Sequence, residues 1–128
     1  MTRVSRLRPL LPGRFALHAS PLMRARLLAV AQRFGLPVWQ FAMSATDANR
    51  YIVRWLRAAT GRQKILVFNG CYHGTIEDVF VDLVDGRPVQ RDSLLGQVHN
   101  LLDTTVVVEF NDLAALDAAL ADGDVACV

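Results

Sequence analysis

The chain has 128 residues, of which 52% are hydrophobic and 20% charged, a balance that suits one domain with a packed core and excludes disorder over most of its length. No apolar run approaches the roughly 20 residues of a membrane-spanning helix and no leader pattern opens the chain, so a cytoplasmic protein with no membrane contact is expected. The net charge of +2 conceals an asymmetry: residues 1–46 hold seven arginines and no acid, and the other 82 hold seven basic and twelve acidic side chains.

A basic, acid-poor front fits an organelle transit peptide or a nucleic-acid arm. Arginine, however, outnumbers lysine thirteen to one over the whole chain, as GC-rich coding would give. The front also lacks the aromatic interleaving of a single-strand binder. No nucleic-acid partner is expected.

Residues 1–21 carry prolines at 9, 12 and 21 and show no sustained period, which predicts an irregular basic segment. From Leu22 to Phe34 the apolar residues Leu27, Val30, Ala31 and Phe34 recur at helical spacing, and Gly35 with Pro37 stops the helix. "VWQFAM", Val38 to Met43, is rich in strand formers and predicts a strand.

The next helix has the clearest pattern. Ala48, Tyr51, Ile52, Trp55, Leu56 and Ala59 form one stripe, and Asp47, Arg50, Arg54 and Arg57 lie opposite. Ser44 and Asp47 resemble a capping box at its start, and Gly61 closes it. "KILVFN" follows, a continuous apolar run of the kind buried on both faces of a parallel sheet.

"IEDVFVDLVDG" suits a short helix or a strand, with Asp85-Gly86 as a turn. "TTVVVEF" is a strand, Asn111 and Asp112 open a helix with Leu113, Leu116 and Leu120 on one face, and "VACV" reads as a final strand. Strands alternating with helices imply an α/β fold with a mostly parallel sheet flanked by helices. Ligands gather at the carboxyl ends of such strands, where "SATDAN" and "NGCYHG" both fall.

In "SATDAN" the free amides of a helix N-terminus favour an anion, and Ser44 and Thr46 add hydroxyls. Phosphate is the natural guest; the plainer reading makes Ser44 only the helix cap. In "CYHG", Cys71 and His73 invite a thiolate nucleophile, but no orienting acid is identified. A metal would need more ligands, and His18 and His99 lie far away in sequence. Neither a catalytic residue nor a metal site is therefore assigned. Tyr72 can instead present its ring to a flat ligand with His73 beside it, or the two can pack locally. Cys127, in an apolar strand pattern, reads as a small hydrophobe.

Together, "FAMSATDANRYIVRWLRAATGRQKILVFNGCYHG" resembles a stretch of the class III, pyridoxal-phosphate-dependent aminotransferases of fold type I, in the glutamate-1-semialdehyde 2,1-aminomutase-like branch. That family carries a segment like "NSGTEAN", a helix ending in an aromatic-threonine-glycine turn, a lysine-led strand and "CYHG", in this order. The resemblance covers residues 22–128 and is tightest from Trp39 to Asp85. It implies that residues 22–128 are a partial cofactor-binding large domain.

By the same resemblance, Ser44, Ala45 and Thr46 hold the phosphate of pyridoxal 5'-phosphate, and Tyr72 lies against its ring with His73 alongside. Where Ala45 stands the family usually has glycine, so a positive φ there would cost about 1 kcal/mol. The lysine that bonds the cofactor and the acid that pairs its ring nitrogen stand downstream in the family and have no counterpart here. The one lysine, Lys64, starts the strand that Tyr72 follows, about 16 Å from the site at about 3.3 Å per residue.

The resemblance thus implies a piece of an enzyme that moves amino groups between small amino acids and oxo compounds, inactive alone and expected to be a homo-oligomer. The alternative is a non-catalytic module of the same fold that binds a phosphorylated ligand or a partner.

Overall fold

The computed structural model describes residues 20–92 and 94–128, which fall into two compact units, one ending at Ala42 and one running from Met43 to Val128. The irregular segment expected over residues 1–21 lies outside the described residues as far as residue 19, as does His18; Ser20 and Pro21 open a helix.

In the first unit α1 spans Pro21–Phe34. The Ser20 hydroxyl accepts from the Met23 amide at 3.2 Å, Pro21 needs no donor in the first turn, and Gly35 ends the helix at φ 67°. Trp39 donates its indole N–H to the Leu36 carbonyl at 2.8 Å and tilts against Phe34 with ring centroids 5.6 Å apart. The strand expected over Val38 to Met43 does not form; the segment is irregular. A strand exists only where a ladder partner does, and among the described residues this segment pairs with none.

The second unit is built on β1, Lys64–Phe68, with β4, Thr105–Val108, parallel on one side and β5, Val125–Cys127, parallel on the other. Ile65, Leu66 and Val67 are all buried, as expected of a central strand covered on both faces. Ile65 and Val67 pack with Ile76, Val79, Val81, Leu101 and Val107, whereas Leu66 packs with Val108 and Val125 under Ala115, Leu116 and Ala119. Each such side chain contributes about 1.5–3 kcal/mol.

Residues 76–90 resolve the sequence ambiguity into a short 3-10 turn, Glu77–Val79, and a hairpin of β2, Val81–Val84, and β3, Arg87–Gln90. Asp85 and Gly86 both take positive φ, 50° and 73°, the two-residue turn whose twist matches paired strands. Helix α3, Leu113–Ala121, is capped by the Asp112 carboxylate, which accepts from the Ala115 amide at 2.9 Å. Its inward face is Ala115, Leu116 and Ala119, so Leu113 and Leu120 do not share the core with Leu116 as expected.

Helix α2, Ala45–Thr60, is turned differently from its apolar pattern. Val53 is its side chain against the core, while Tyr51, Ile52 and Trp55 are 40%, 51% and 51% exposed. Arg57, on the polar side of the pattern, lies half-buried and donates to Asp78 at 2.8 Å and to the Gln63 carbonyl at 2.7 Å. Polar contacts set the rotation of α2 instead of its apolar stripe. Asp78 is also a structural hub, since its carbonyl accepts from the Thr105 hydroxyl of β4.

No helix among the described residues is long and apolar enough to cross a membrane. Arg57→Ala is expected to lower stability by about 1–3 kcal/mol in urea unfolding, because Asp78 and the Gln63 carbonyl lose a shared donor inside the layer; a loss of only a few tenths would show that the pair does not set the helix.

Candidate functional site

Two turns of backbone meet at the carboxyl end of β1, both within the second unit. The first is the start of α2. Ser44, extended at φ −145°, caps the helix by accepting from the Asp47 amide at 3.1 Å. Its hydroxyl proton is spent on the Asp47 carboxylate at 2.8 Å. The Ser44 carbonyl accepts the first helical bond, from Ala48, leaving the amides of Ala45 and Thr46 as the helix's open donors. Ala45 is the first helical residue and is not among those with positive φ, so the strain considered for it does not arise.

The second turn leaves β1 through Asn69, whose amide bonds the Val108 carbonyl at 2.8 Å. The Asn69 side chain accepts from the Leu83 amide at 2.8 Å and donates to Glu109 at 2.7 Å, locking the exit of β1 to the hairpin and to the end of β4. Arg91 makes a bidentate pair with Asp82, reaches the Cys71 carbonyl at 2.9 Å and lies over the Phe80 ring. The entry to the loop is thereby fixed from β1 and the hairpin.

Gly74, at φ 87°, presses directly on α2: a Cβ there would stand 2.1 Å from the Thr46 hydroxyl oxygen. Only a residue without a side chain allows this approach. Thr46 accepts from the Thr75 amide at 3.3 Å, and because it accepts there its own proton remains available. Tyr72, 72% exposed, stands at the same end of the sheet, followed by His73.

The structure therefore brings Ser44, Ala45 and Thr46 together with the loop of Tyr72 and His73. It also supplies Asn49, Arg50 and Gly74, which the sequence reading passed over. Their signal was position: Asn49 and Arg50 sit one turn beyond the anion donors, beside whatever leaves β1. A cavity of about 520 Å³ opens farther along α2 between Arg50, Arg54 and Arg57 and the Glu77–Asp78 turn. It includes neither Ser44 nor Tyr72, and two of its arginines are engaged, Arg50 with Glu77 at 3.6 Å and Arg57 with Asp78.

Open amides at a helix N-terminus favour an anion in general, and here they stand beside the Thr46 hydroxyl and the close approach of Gly74. Burial raises the Cys71 thiol above its ordinary range, with Arg91 only partly opposing it, so Cys71 is a poor thiolate source. Among the described residues no group of three or more His, Cys, Asp or Glu is placed to hold a metal ion.

No protein-family profile matches the chain. Over 88 residues it is 40% identical to a glutamate-1-semialdehyde 2,1-aminomutase of Delftia acidovorans, covering 66% of this chain and 20% of the relative. The enzyme of that name from Neisseria meningitidis serogroup C is 37% identical over 88 residues, with 66% and 21% covered. A solved glutamate-1-semialdehyde aminomutase of Pseudomonas aeruginosa superposes on 97% of this chain and 27% of its own, with TM-score 0.75 and 41% identity.

The chain is homologous to part of a class III aminotransferase, in the glutamate-1-semialdehyde 2,1-aminomutase branch. It spans about a fifth of the length of the curated relatives it matches. A form of the Pseudomonas aminomutase, matched equally well, was solved in complex with PMP. An omega-transaminase of Sphaerobacter thermophilus shares the fold more distantly, with TM-score 0.55 and 25% identity over 85% of this chain and 32% of its own. The order β4-β1-β5, all parallel, is thus part of the class III sheet.

Two outcomes test this site. Gly74→Ala should push the loop off α2 and cost more than about 1 kcal/mol in thermal or urea unfolding; an unchanged transition would refute the close approach. Alkylation of Cys71 by iodoacetamide should be slow at pH 7 and climb only above the usual thiol range, and rapid modification near neutrality would mean an activated thiolate.

Proposed function

We propose that this chain holds pyridoxal 5'-phosphate as part of a class III aminotransferase or aminomutase. The observation that carries the reading is the docking of Gly74 and Thr75 on Thr46, which joins an anion cradle to an aromatic wall. The amides of Ala45 and Thr46 and the Thr46 hydroxyl take the phosphate, in the field of the helix dipole. Ser44 frames the cradle, and its proton reaches the phosphate only by leaving Asp47. Tyr72 gives the ring of the cofactor one wall, and His73 lies beside it.

When bound, the cofactor supplies an electron sink for reactions at a carbon bearing an amino group. The residues of this chain bind and orient it. In the whole protein the substrates are small amino acids and oxo compounds, between or within which the amino group moves. The same reading includes a cytoplasmic location and self-association, and the exposed Tyr51, Ile52 and Trp55 support a face meant to be covered.

Lys64 is not the lysine that bonds the cofactor. It stands at the start of β1, away from the loop that follows Phe68, and is ion-paired to Asp124 at 2.6 Å. The hydrogen bond and charge of Asp124 raise its pKa, favouring the protonated form, which is no nucleophile. On this reading the lysine comes from outside residues 1–128. That same observation favours a second reading, a non-catalytic module that retains phosphate-ligand binding.

Calorimetric titration with pyridoxal phosphate and with pyridoxal tests the cradle. One or two charge-assisted hydrogen bonds at about 1.5–3 kcal/mol each should make the phosphorylated form bind at least about tenfold tighter; equal affinities would remove the assignment. Borohydride reduction with peptide mapping should give no stoichiometric adduct, and full labelling of Lys64 would overturn its placement.

A further inference from the structure

The backbone of His73 to Thr75 belongs to neither helix nor strand, so its polar groups need partners from elsewhere. They find them on one element. Asn49 donates its side-chain amide to the His73 carbonyl at 3.1 Å, Arg50 donates to the Thr75 carbonyl at 2.8 Å, and the Thr75 amide donates to Thr46 at 3.3 Å. Asn69 and Arg91 fix the loop's entry, Ile76 is buried in the core just past its exit, and α2 holds the backbone between, where the side chains of Tyr72, His73 and Thr75 are exposed.

We propose that Asn49 and Arg50 are positioning residues of the cofactor site, tying the ring wall to the helix that carries the phosphate donors. The inference rests on the reading above and adds a division of labour within it. Two turns of one helix set both the place of the anion and the place of Tyr72. A ligand with a phosphate and a ring then meets a pre-organised pair of contacts, whereas a loose wall would first have to be ordered at the ligand's expense.

Arg50 is suited to this by its planar fork, which serves the Thr75 carbonyl while the side chain also neighbours Glu77 at 3.6 Å. Asn49 needs its N–H: an aspartate there would face the His73 carbonyl with like charge and no donor. Neither residue touches the anion donors. Breaking their bonds to the loop while keeping the charge at residue 50 should therefore spare phosphate and penalise the ring.

The test uses the full chain and three probes: pyridoxamine 5'-phosphate, which has no aldehyde to react with Lys64, together with pyridoxamine and inorganic phosphate. Asn49→Ala and Arg50→Lys, which keeps the positive charge but not the planar fork, are compared with the unaltered protein by calorimetry and by the circular dichroism induced in the pyridine band. Asn49→Ala raises helix propensity, so a loss there is not melting of α2. Inorganic phosphate should bind within about twofold of the unaltered protein, while pyridoxamine 5'-phosphate weakens about three- to tenfold and its induced signal shrinks, the usual scale of one lost ordering contact.

Amide exchange of Thr75 in the ligand-free protein gives a second readout and should quicken in both variants. Equal weakening of phosphate and pyridoxamine 5'-phosphate, or an unchanged Thr75 exchange rate, overturns the positioning role. If the unaltered protein binds pyridoxamine 5'-phosphate no better than pyridoxamine, the cofactor reading falls, and the exchange rates still decide whether Asn49 and Arg50 hold the loop.

Discussion

The burial of β1 on both faces, with both edges paired, is the constraint on which the rest depends. Ile65, Leu66 and Val67 are all buried, and the pairing with β4 is unbroken, the register shift of β1 lying on its β5 side between Lys64 and Ile65. The register of β1 with β4, Ile65 against Thr105 through Phe68 against Val108, therefore fixes where the chain leaves the sheet. Asn69 reads that position by bonding β2 and Glu109 at once. The loop that follows inherits its starting point from the hydrophobic effect and its course from hydrogen bonds.

Helix α2 is placed by a different kind of force. Burying Tyr51, Ile52 and Trp55 against the sheet would gain more apolar transfer energy than burying Val53 alone. Rotating the helix to do so would break the half-buried pair of Arg57 and Asp78, at a cost of about 1–3 kcal/mol, and would give up the bonds to the exposed carbonyls of Gln63, His73 and Thr75. These losses compete with the apolar gain. The observed rotation satisfies the polar groups and leaves the stripe for other contacts, so the site geometry and the exposed face have a common cause.

Much of this was legible in the residues. The alternation of elements, the doubly buried "KILVF", the caps at Ser44 and Gly61, and the Asp85-Gly86 turn are local signals, and each sits where its chemistry requires. The strand expected at Val38 to Met43 did not form because composition states a preference for pairing without providing the partner. Which face of α2 meets the sheet was not legible for a related reason: periodicity finds the apolar stripe but cannot tell which neighbour it serves. Asn49 and Arg50 were invisible because their partners are backbone carbonyls twenty-four and twenty-five residues away, and a carbonyl leaves no mark on the sequence.

Asp47 shows how the cradle is balanced. A carboxylate in the first turn complements the helix dipole and, through Ser44, satisfies a cap with no ligand present. The same charge opposes an incoming phosphate, at a distance where partial exposure screens the repulsion without abolishing it. Arg50, one turn on, supplies the opposite sign while bonded to the Thr75 carbonyl. The helix end is therefore stable when empty and its field is not spent, since the two amides that matter, of Ala45 and Thr46, remain unpaired. An anion that arrives with a ring attached has a second contact, at the Tyr72 wall, with which to offset the displacement of Asp47 from Ser44. A bare anion does not. Under the function proposed above, selectivity for a ring-bearing phosphate follows from the acid in the first turn as much as from the donors around it.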